Sequence, residues 1–261
     1  MGSNEKEARI ITSAQKCLHI LSYMATVNEE LSINDLAATM EINKSTIHHY
    51  LATLVGEKFV LQNPENKKYR IGSEAFRVGE SYLRKDLPYK EIDVLLREFY
   101  EEIGISTYFY IRSAEKATCV LVREKTQLLY GHNLIGSTVS MHASAAGKVF
   151  LAYLPEYERE RILKKTGLIA YTKKTITEHE ILNKELMEIR IRGYAVDDCE
   201  YDDAIVSLAV PVFGFGDKIV GAVSVAGEPD ELTDKLMKKI IKPLVKRGQI
   251  ISEKVDNVIL Y

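Results

Sequence analysis

Two groups of residues in this 261-residue chain have types and spacing suited to chemistry. The first is Lys44, Ser45, Thr46, His48 and His49, with Lys67, Lys68 and Arg70 further on. Hydroxyls and imidazoles can donate to or accept from base edges, and the cations can neutralise phosphates. Residues 43–70 hold five basic side chains against two acidic ones, although the whole chain is at -2. Residues 1–85 carry 11 Lys/Arg against 10 Asp/Glu, and the remainder 24 against 27, so the basic patch is local. The second group is scattered: His142, Asp197, Cys199 and several serines contain the side-chain types of a nucleophilic triad. No G-x-S-x-G elbow accompanies them, so catalysis is not expected. Cys119, His132, His142 and Cys199 lack the close spacing of a structural zinc site, and neither metal nor cofactor is expected. No phosphate loop surrounds Lys148, which reads as helix packing or surface charge. The basic tract 159–165 reads as a solvated helix face.

The elements that position the first group follow from periodicity. Residues 8–25 read as an amphipathic helix with Ile10, Ala14, Cys17, Leu18, Leu21 and Met24 inward. A short helix over 34–40 follows, with Ser32 placed to cap it. A third helix opens at Asn43 or Lys44 and runs to about Glu57. Its inward stripe is Ile47, Tyr50, Leu51, Leu54 and Val55. The opposite face, Ser45, Thr46, His48, His49, Ala52 and Thr53, has no carboxylate to repel phosphate. Strands at 59–62 and 68–71 flank a breaker-rich turn at 63–68, which makes a hairpin with a basic tip. Helix, short helix, helix and hairpin describe a winged helix-turn-helix.

Residues 73–85 read as a connector helix whose exposed apolar residues would be dimer contacts, and Pro88 opens a helix over 89–103. The period then changes to strands at 107–112, 117–123, 128–130 and 138–141. Helices follow at 144–153, 156–166 and 179–192, strands at 194–197, 206–213 and 219–226, and a last helix at 233–256. Strands, then helices, then strands indicate α+β. No apolar run is long enough to span a membrane, the N-terminus is not a signal peptide, and three scattered cysteines suit a reducing cytoplasm.

Several segments together resemble the IclR-type transcriptional regulators over about residues 8–255. They are His142-Ala143-Ser144-Ala145-Ala146-Gly147-Lys148, Arg192-Gly193-Tyr194-Ala195-Val196-Asp197-Asp198-Cys199-Glu200 running on to Ser207-Leu208-Ala209-Val210-Pro211, and Gly221-Ala222-Val223-Ser224-Val225-Ala226-Gly227. Asn43-Lys44-Ser45-Thr46-Ile47-His48-His49 and Tyr69-Arg70-Ile71-Gly72 match on the N-terminal side. The resemblance implies a winged helix-turn-helix over 8–72, a linker helix over 73–87 and a GAF-like α/β effector-binding domain over 88–257. It implies a homodimer or dimer of dimers that binds a double-stranded DNA operator and responds to a small organic or aromatic acid. By position, the effector pocket would be lined by Ala146, Gly147, Asp197, Ser207 and Ser224, with Met141 and Ile205 as apolar walls and Tyr130 nearby. Backbone N–H groups at Ala146 and Gly147, at a helix start, would hold an anion. Ala226 stands where a second pocket serine is frequent in the family, Ala204 where Gly is, and His49-Tyr50 where Arg-Leu is common. A constitutive architectural DNA binder is the alternative, and an enzyme a more distant one.

Overall fold

The computed structural model describes residues 10–27, 29–86, 88–124 and 135–259, which fall into two compact units divided after Asp86. In the first unit, α1 spans Thr12–Met24, α2 Ile33–Met40 and α3 Lys44–Gly56; β1 (Val60–Gln62), β2 (Tyr69–Ile71) and α4 (Ser73–Asp86) follow. The inward face of α1 is set by Ile20 and Met24, both buried. The expected stripe is corrected: Ile10 and Leu18 lie on the solvent side, more than 60% exposed. Apolar residues sit on both sides of this helix, and periodicity alone does not choose between them.

The turns of the helix pair are built by side chains. Ser32 accepts from the Asp35 N–H at 3.2 Å, and the Asp35 carboxylate accepts from the Ser32 N–H at 2.8 Å, a reciprocal capping box. Those bonds hold the Asp35 carboxyl below its usual range. Glu41 turns the chain in the left-handed region at φ 53°, and Asn43 caps α3 by accepting from the Thr46 N–H at 2.8 Å. Ile47, Leu51 and Leu54 of α3 pack with Ile20, Leu36, Val60 and Tyr69 in one core, with Tyr50 and Val55 half-buried against it. β1 and β2 pair antiparallel over three residues each, and Leu31, just ahead of α2, adds an isolated antiparallel bridge to Tyr69. Gly72 closes the hairpin where a Cβ would meet the Lys58 carbonyl oxygen at 2.3 Å, so only glycine fits.

The second unit comprises α5 (Tyr89–Ile103), β3 (Thr107–Ser113), β4 (Lys116–Arg123), β5 (Thr138–Val139), α6 (Ala145–Tyr153), α7 (Glu156–Thr166), α8 (His179–Arg192), β6 (Ala195–Asp198), β7 (Val206–Gly214), β8 (Lys218–Gly227) and α9 (Asp234–Ile259). Its six strands run β5-β4-β3-β8-β7-β6, antiparallel at every pairing. α5 and α9 contact each other and the sheet, while α6 packs on β7, β8 and α8. The α6 side is built from Tyr108, Tyr110, Ala209, Ala222 and Ala226 of the strands against Val149, Phe150 and Leu186. Every residue of α6 except Tyr153 is buried. The expected strand over 138–141 is corrected to two residues, because the chain turns at Ser140, whose carbonyl accepts from the Ser144 hydroxyl at 2.6 Å. The expected strand at 128–130 lies outside the described residues.

Candidate effector pocket and nucleic-acid interface

α3 presents Lys44, Ser45, His48 and His49 to solvent, and Thr46 is half-buried. The Ser45 hydroxyl donates to the Asn43 side-chain oxygen at 2.8 Å, which leaves its lone pairs outward. The wing tip is ordered by its own amides. The Asn63 carbonyl accepts from the Lys67 N–H, and the Asn66 side-chain oxygen accepts from the Lys68 N–H at 2.8 Å. Lys67 sits at φ 60° in the left-handed region. Beneath the tip, the Glu30 carboxylate accepts from the Asn63 amide at 2.9 Å and the Asn66 amide at 2.8 Å, with the Arg70 guanidinium 3.8 Å away. These bonds hold the Glu30 carboxyl below its usual range. Lys67, Lys68 and Arg70 are all exposed. Glu30 escapes a reading of motifs because it lies outside both the helices and the hairpin.

In the second unit, Tyr110, Val139, Ser144, Ala146, Asp197, Tyr201, Ile205, Ser207, Ser224 and Ala226 enclose a cavity of about 30 Å3. That volume accommodates a water or two. Asp197, Ser207, Ser224 and Ala226 come together because β6, β7 and β8 are adjacent, pairing Asp197 with Ser207 and Ser207 with Ala226. Tyr110 joins them from β3, two residues beyond Tyr108, which pairs with Ser224. Alternation along β3 is the sequence signal for Tyr110; Tyr201, in the turn after β6, has none.

The polar groups of this cavity are largely committed. One Asp197 oxygen accepts from the Glu200 N–H at 2.7 Å and the Tyr201 N–H at 3.3 Å; the other accepts from the Ser207 hydroxyl at 3.3 Å. Burial nonetheless raises the Asp197 carboxyl to about 7. The Ser224 hydroxyl donates to the Leu208 carbonyl at 2.8 Å. The Ser144 side chain caps α6 by accepting from the Gly147 N–H at 3.0 Å. Burial pushes the Tyr110 and Tyr201 phenols upward, so both are neutral donors.

Of the residues expected here, Ala146, Asp197, Ile205, Ser207 and Ser224 line the cavity, whereas Met141 and Gly147 do not. Gly147 faces the preceding segment: a Cβ would meet the Ser140 carbonyl oxygen at 2.2 Å and Met141 Cα at 2.5 Å. Its N–H serves the cap, which leaves the Ala146 N–H as the helix-start donor. Met141 is buried in the core. Tyr130 lies outside the described residues. Of the two expectations for Lys148, surface charge is corrected: it is 1% exposed within the packed face of α6 and ion-paired with Glu200.

His142, Asp197 and Cys199 form no triad. The His142 Nε2–H donates to the Ile169 carbonyl at 3.0 Å and its Nδ1 accepts from the Ser140 hydroxyl at 3.1 Å. Burial holds this imidazole below its usual range. Among the described residues no cluster of three or more His, Cys, Asp or Glu is placed to hold a metal.

A family model described as the C-terminal domain of bacterial transcriptional regulator IclR matches residues 82–253, and one for the IclR helix-turn-helix domain matches residues 13–64. The chain belongs to the IclR family of transcriptional regulators. It is 29% identical to the transcriptional repressor IclR of Escherichia coli (strain K12) over 93% of this chain and 89% of that one. It is 28% identical to the regulator XynR of the same organism over 93% and 96%. The crystal structure of Thermotoga maritima IclR superposes with a TM-score of 0.76 at 26% identity, covering 94% of this chain and 99% of that one. These relatives are regulators, not enzymes. The IclR helix-turn-helix match covers α1 from its second residue, α2, α3 and β1, and the C-terminal match covers every strand of the second unit. Among the described residues no helix is long and apolar enough to cross a membrane.

Proposed function

We propose that the chain is a sequence-specific operator-binding regulator whose affinity for double-stranded DNA is set by a small organic acid held in the cavity. The outward face of α3 carries the reading: Lys44, Ser45, Thr46, His48 and His49 offer donors and acceptors with no carboxylate among them, beside a wing of three exposed cations. In this reading α3 enters the major groove and Lys67, Lys68 and Arg70 contact phosphates. Residues 8–72 form the DNA-binding domain, 73–87 the linker helix and 88–257 the effector-binding domain. The protein works in the cytoplasm as a homodimer or dimer of dimers. Exposed Phe76 and Val78 on α4, Ile11 just before α1 and Leu18 on α1 supply apolar dimer contacts.

The effector enters by displacing Tyr201 and Ile205, the two lining residues that are not fully buried. Its carboxylate takes the Ala146 N–H, and its chain lies against Val139, Ile205 and Ala226. Among the described residues no lysine, arginine or histidine lines the cavity, so the acid binds with a proton retained on Asp197. The same composition favours a short, partly apolar acid over the smallest and most polar ones.

Electrophoretic shift with the chain's own upstream DNA tests the first half. A specific complex that weakens steeply with salt is expected, and length-dependent binding without sequence preference would instead support an architectural role. A thermal-shift screen of organic acids tests the second half. One acid should stabilise the protein and release the DNA, and Ser224→Leu and the milder Ala226→Val should remove the effect. A ligand that stabilises both variants equally places the pocket elsewhere.

A further inference from the structure

The tract 159–165 holds one residue that does not behave as a solvated charge. Arg159 of α7 has a side chain only 15% exposed, and its Nε is buried with no hydrogen-bond partner among the described residues. Its ion pair is with its sequence neighbour Glu160, at 3.5 Å from Nε, and the Glu160 side chain is half in solvent. Adjacent residues on a helix point in different directions, so this pair does not enclose the guanidinium. A mostly buried guanidinium without hydrogen-bonded partners is costly, and such groups are normally matched by an acceptor.

That guanidinium lines a groove of about 230 Å3 between α7 and α8, with Asn183, Leu186, Met187 and Arg190 as its other walls. The five residues include two guanidiniums and an amide, and no carboxylate. Arg190 is already spent on the C-terminal end of α6, donating from Nε to the Ala152 carbonyl and from Nη2 to the Leu154 carbonyl at 3.3 Å. Its charge still adds to the positive field, while Arg159 and Asn183 retain donors. Leu186 is buried at the base, and Met187 is 57% exposed at the edge. The groove thus pairs a planar bidentate donor with a flexible apolar wall, a combination matched by a carboxylate on a short aliphatic chain.

We propose that the α7–α8 groove is a second small-molecule site, separate from the cavity lined by Asp197, which takes short-chain aliphatic carboxylates on Arg159 and Asn183. No residue is shared between the two sites. The bound acid satisfies the Arg159 Nε and covers Met187.

The chain has six methionines, and only Met187 lines the groove, so the full-length protein labelled with 13C at the methionine methyls reports the site directly. Met187→Leu assigns the resonance, and sodium butyrate is the probe, with sodium chloride at equal ionic strength as control. A saturable Met187 shift is expected, weakened at least tenfold in Arg159→Gln and in Asn183→Asp, which sets a carboxylate in the groove. The other methionine resonances report whether each variant is folded, and the half-buried Asn183 is the safer change. Ser224→Leu should leave the Met187 titration unaltered, so failure of the effector cavity and failure of this site read differently. A shift that does not saturate, that chloride reproduces, or that persists in both groove variants would overturn the proposal. So would a Met187 shift driven by protein concentration and indifferent to butyrate, which would make the groove a contact between copies.

Discussion

Lys148 of α6 and Glu200 of the turn after β6 form an ion pair removed almost wholly from water, their side chains 1% and 11% exposed. One Glu200 oxygen takes the ammonium, and the other, Oε2, is buried with no hydrogen-bond partner among the described residues. The Glu200 backbone N–H meanwhile donates to Asp197, so the pair abuts the pocket carboxylate. Burial pushes the Glu200 carboxyl up, and Lys148 opposes that shift. Removing one partner strands the other charge, whereas removing both does not. Lys148→Met should therefore destabilise the second unit by about 3–5 kcal/mol, and Lys148→Met with Glu200→Met by clearly less. Denaturant unfolding followed by a probe in residues 88–259 checks this, and equal losses in the single and double variants would contradict it.

Asp197 makes the second unit sensitive to pH in a defined direction. Its folded-state pKa, about 7, lies above the ordinary 3.8, so the native state holds the proton more tightly than the unfolded chain. Its contribution is fully present below pH 4 and is lost as pH rises through 7, by up to about 4 kcal/mol. Glu200 shifts in the same sense and His142 in the opposite one, so the comparison must be made against Asp197→Asn. The wild-type minus variant difference in stability should fall between pH 4 and 7 and then level. Effector affinity should fall over the upper part of that window, and a flat difference curve would mean that Asp197 is already ionised.

Charge on the wing and geometry of the wing separate experimentally. Lys67→Ala with Lys68→Ala should weaken all DNA sequences alike and reduce the slope of log K against log salt by about 2 for each DNA-bound protomer. Glu30→Ala removes the acceptor shared by Asn63 and Asn66 without removing a cation. It should weaken binding several-fold while leaving that slope unchanged. A changed slope in Glu30→Ala would show that it acts on phosphate contacts rather than on the hairpin.

Base preference should lie with α3. His49→Ala should shift the preferred operator sequence, worth about 1–3 kcal/mol at the affected base pair, while leaving stability within about 0.5 kcal/mol because His49 is exposed. Selection of binding sites from a random DNA pool measures this. An unchanged consensus would remove His49 from the reading face.

Gly147→Ala places a methyl against the Ser140 carbonyl and Met141 Cα and should cost about 1–3 kcal/mol through overpacking. The effect should be on unfolding of the second unit, with operator binding by the folded fraction unaltered.

The parts legible in the sequence were those governed by local rules. Ser32 and Asn43 cap their helices because a short polar side chain just before an apolar period has a ready backbone donor. The wing followed from breakers between two short β runs, and Asp197, Ser207 and Ser224 from a family resemblance that strand adjacency then explained. What was not legible depends on which surfaces meet. Ile20 and not Leu18 faces the core of α1, Lys148 is ion-paired with Glu200 inside the fold, and Gly147 is spent on a close backbone approach instead of a ligand. Arg159 reads in the sequence as one of several basic residues on a helix, whereas its side chain is 15% exposed in a groove beside α8. The Gly147 outcome is decided by the turn at Ser140 and Met141 and the others by partners distant in the chain, and local periodicity encodes neither.

The bridge between Leu31 and Tyr69 joins the strand-like residue just ahead of α2 to the second strand of the wing, with N–H to carbonyl bonds of 2.9 and 2.8 Å in both directions. Helix pair and hairpin are thereby tied like the arms of a caliper, with α3 and the base of the wing held to one another through this bridge and their shared core. Under the proposed function, each copy would read a stretch of duplex of constant length, and tolerance for operators of different half-site spacing would reside outside residues 31–72.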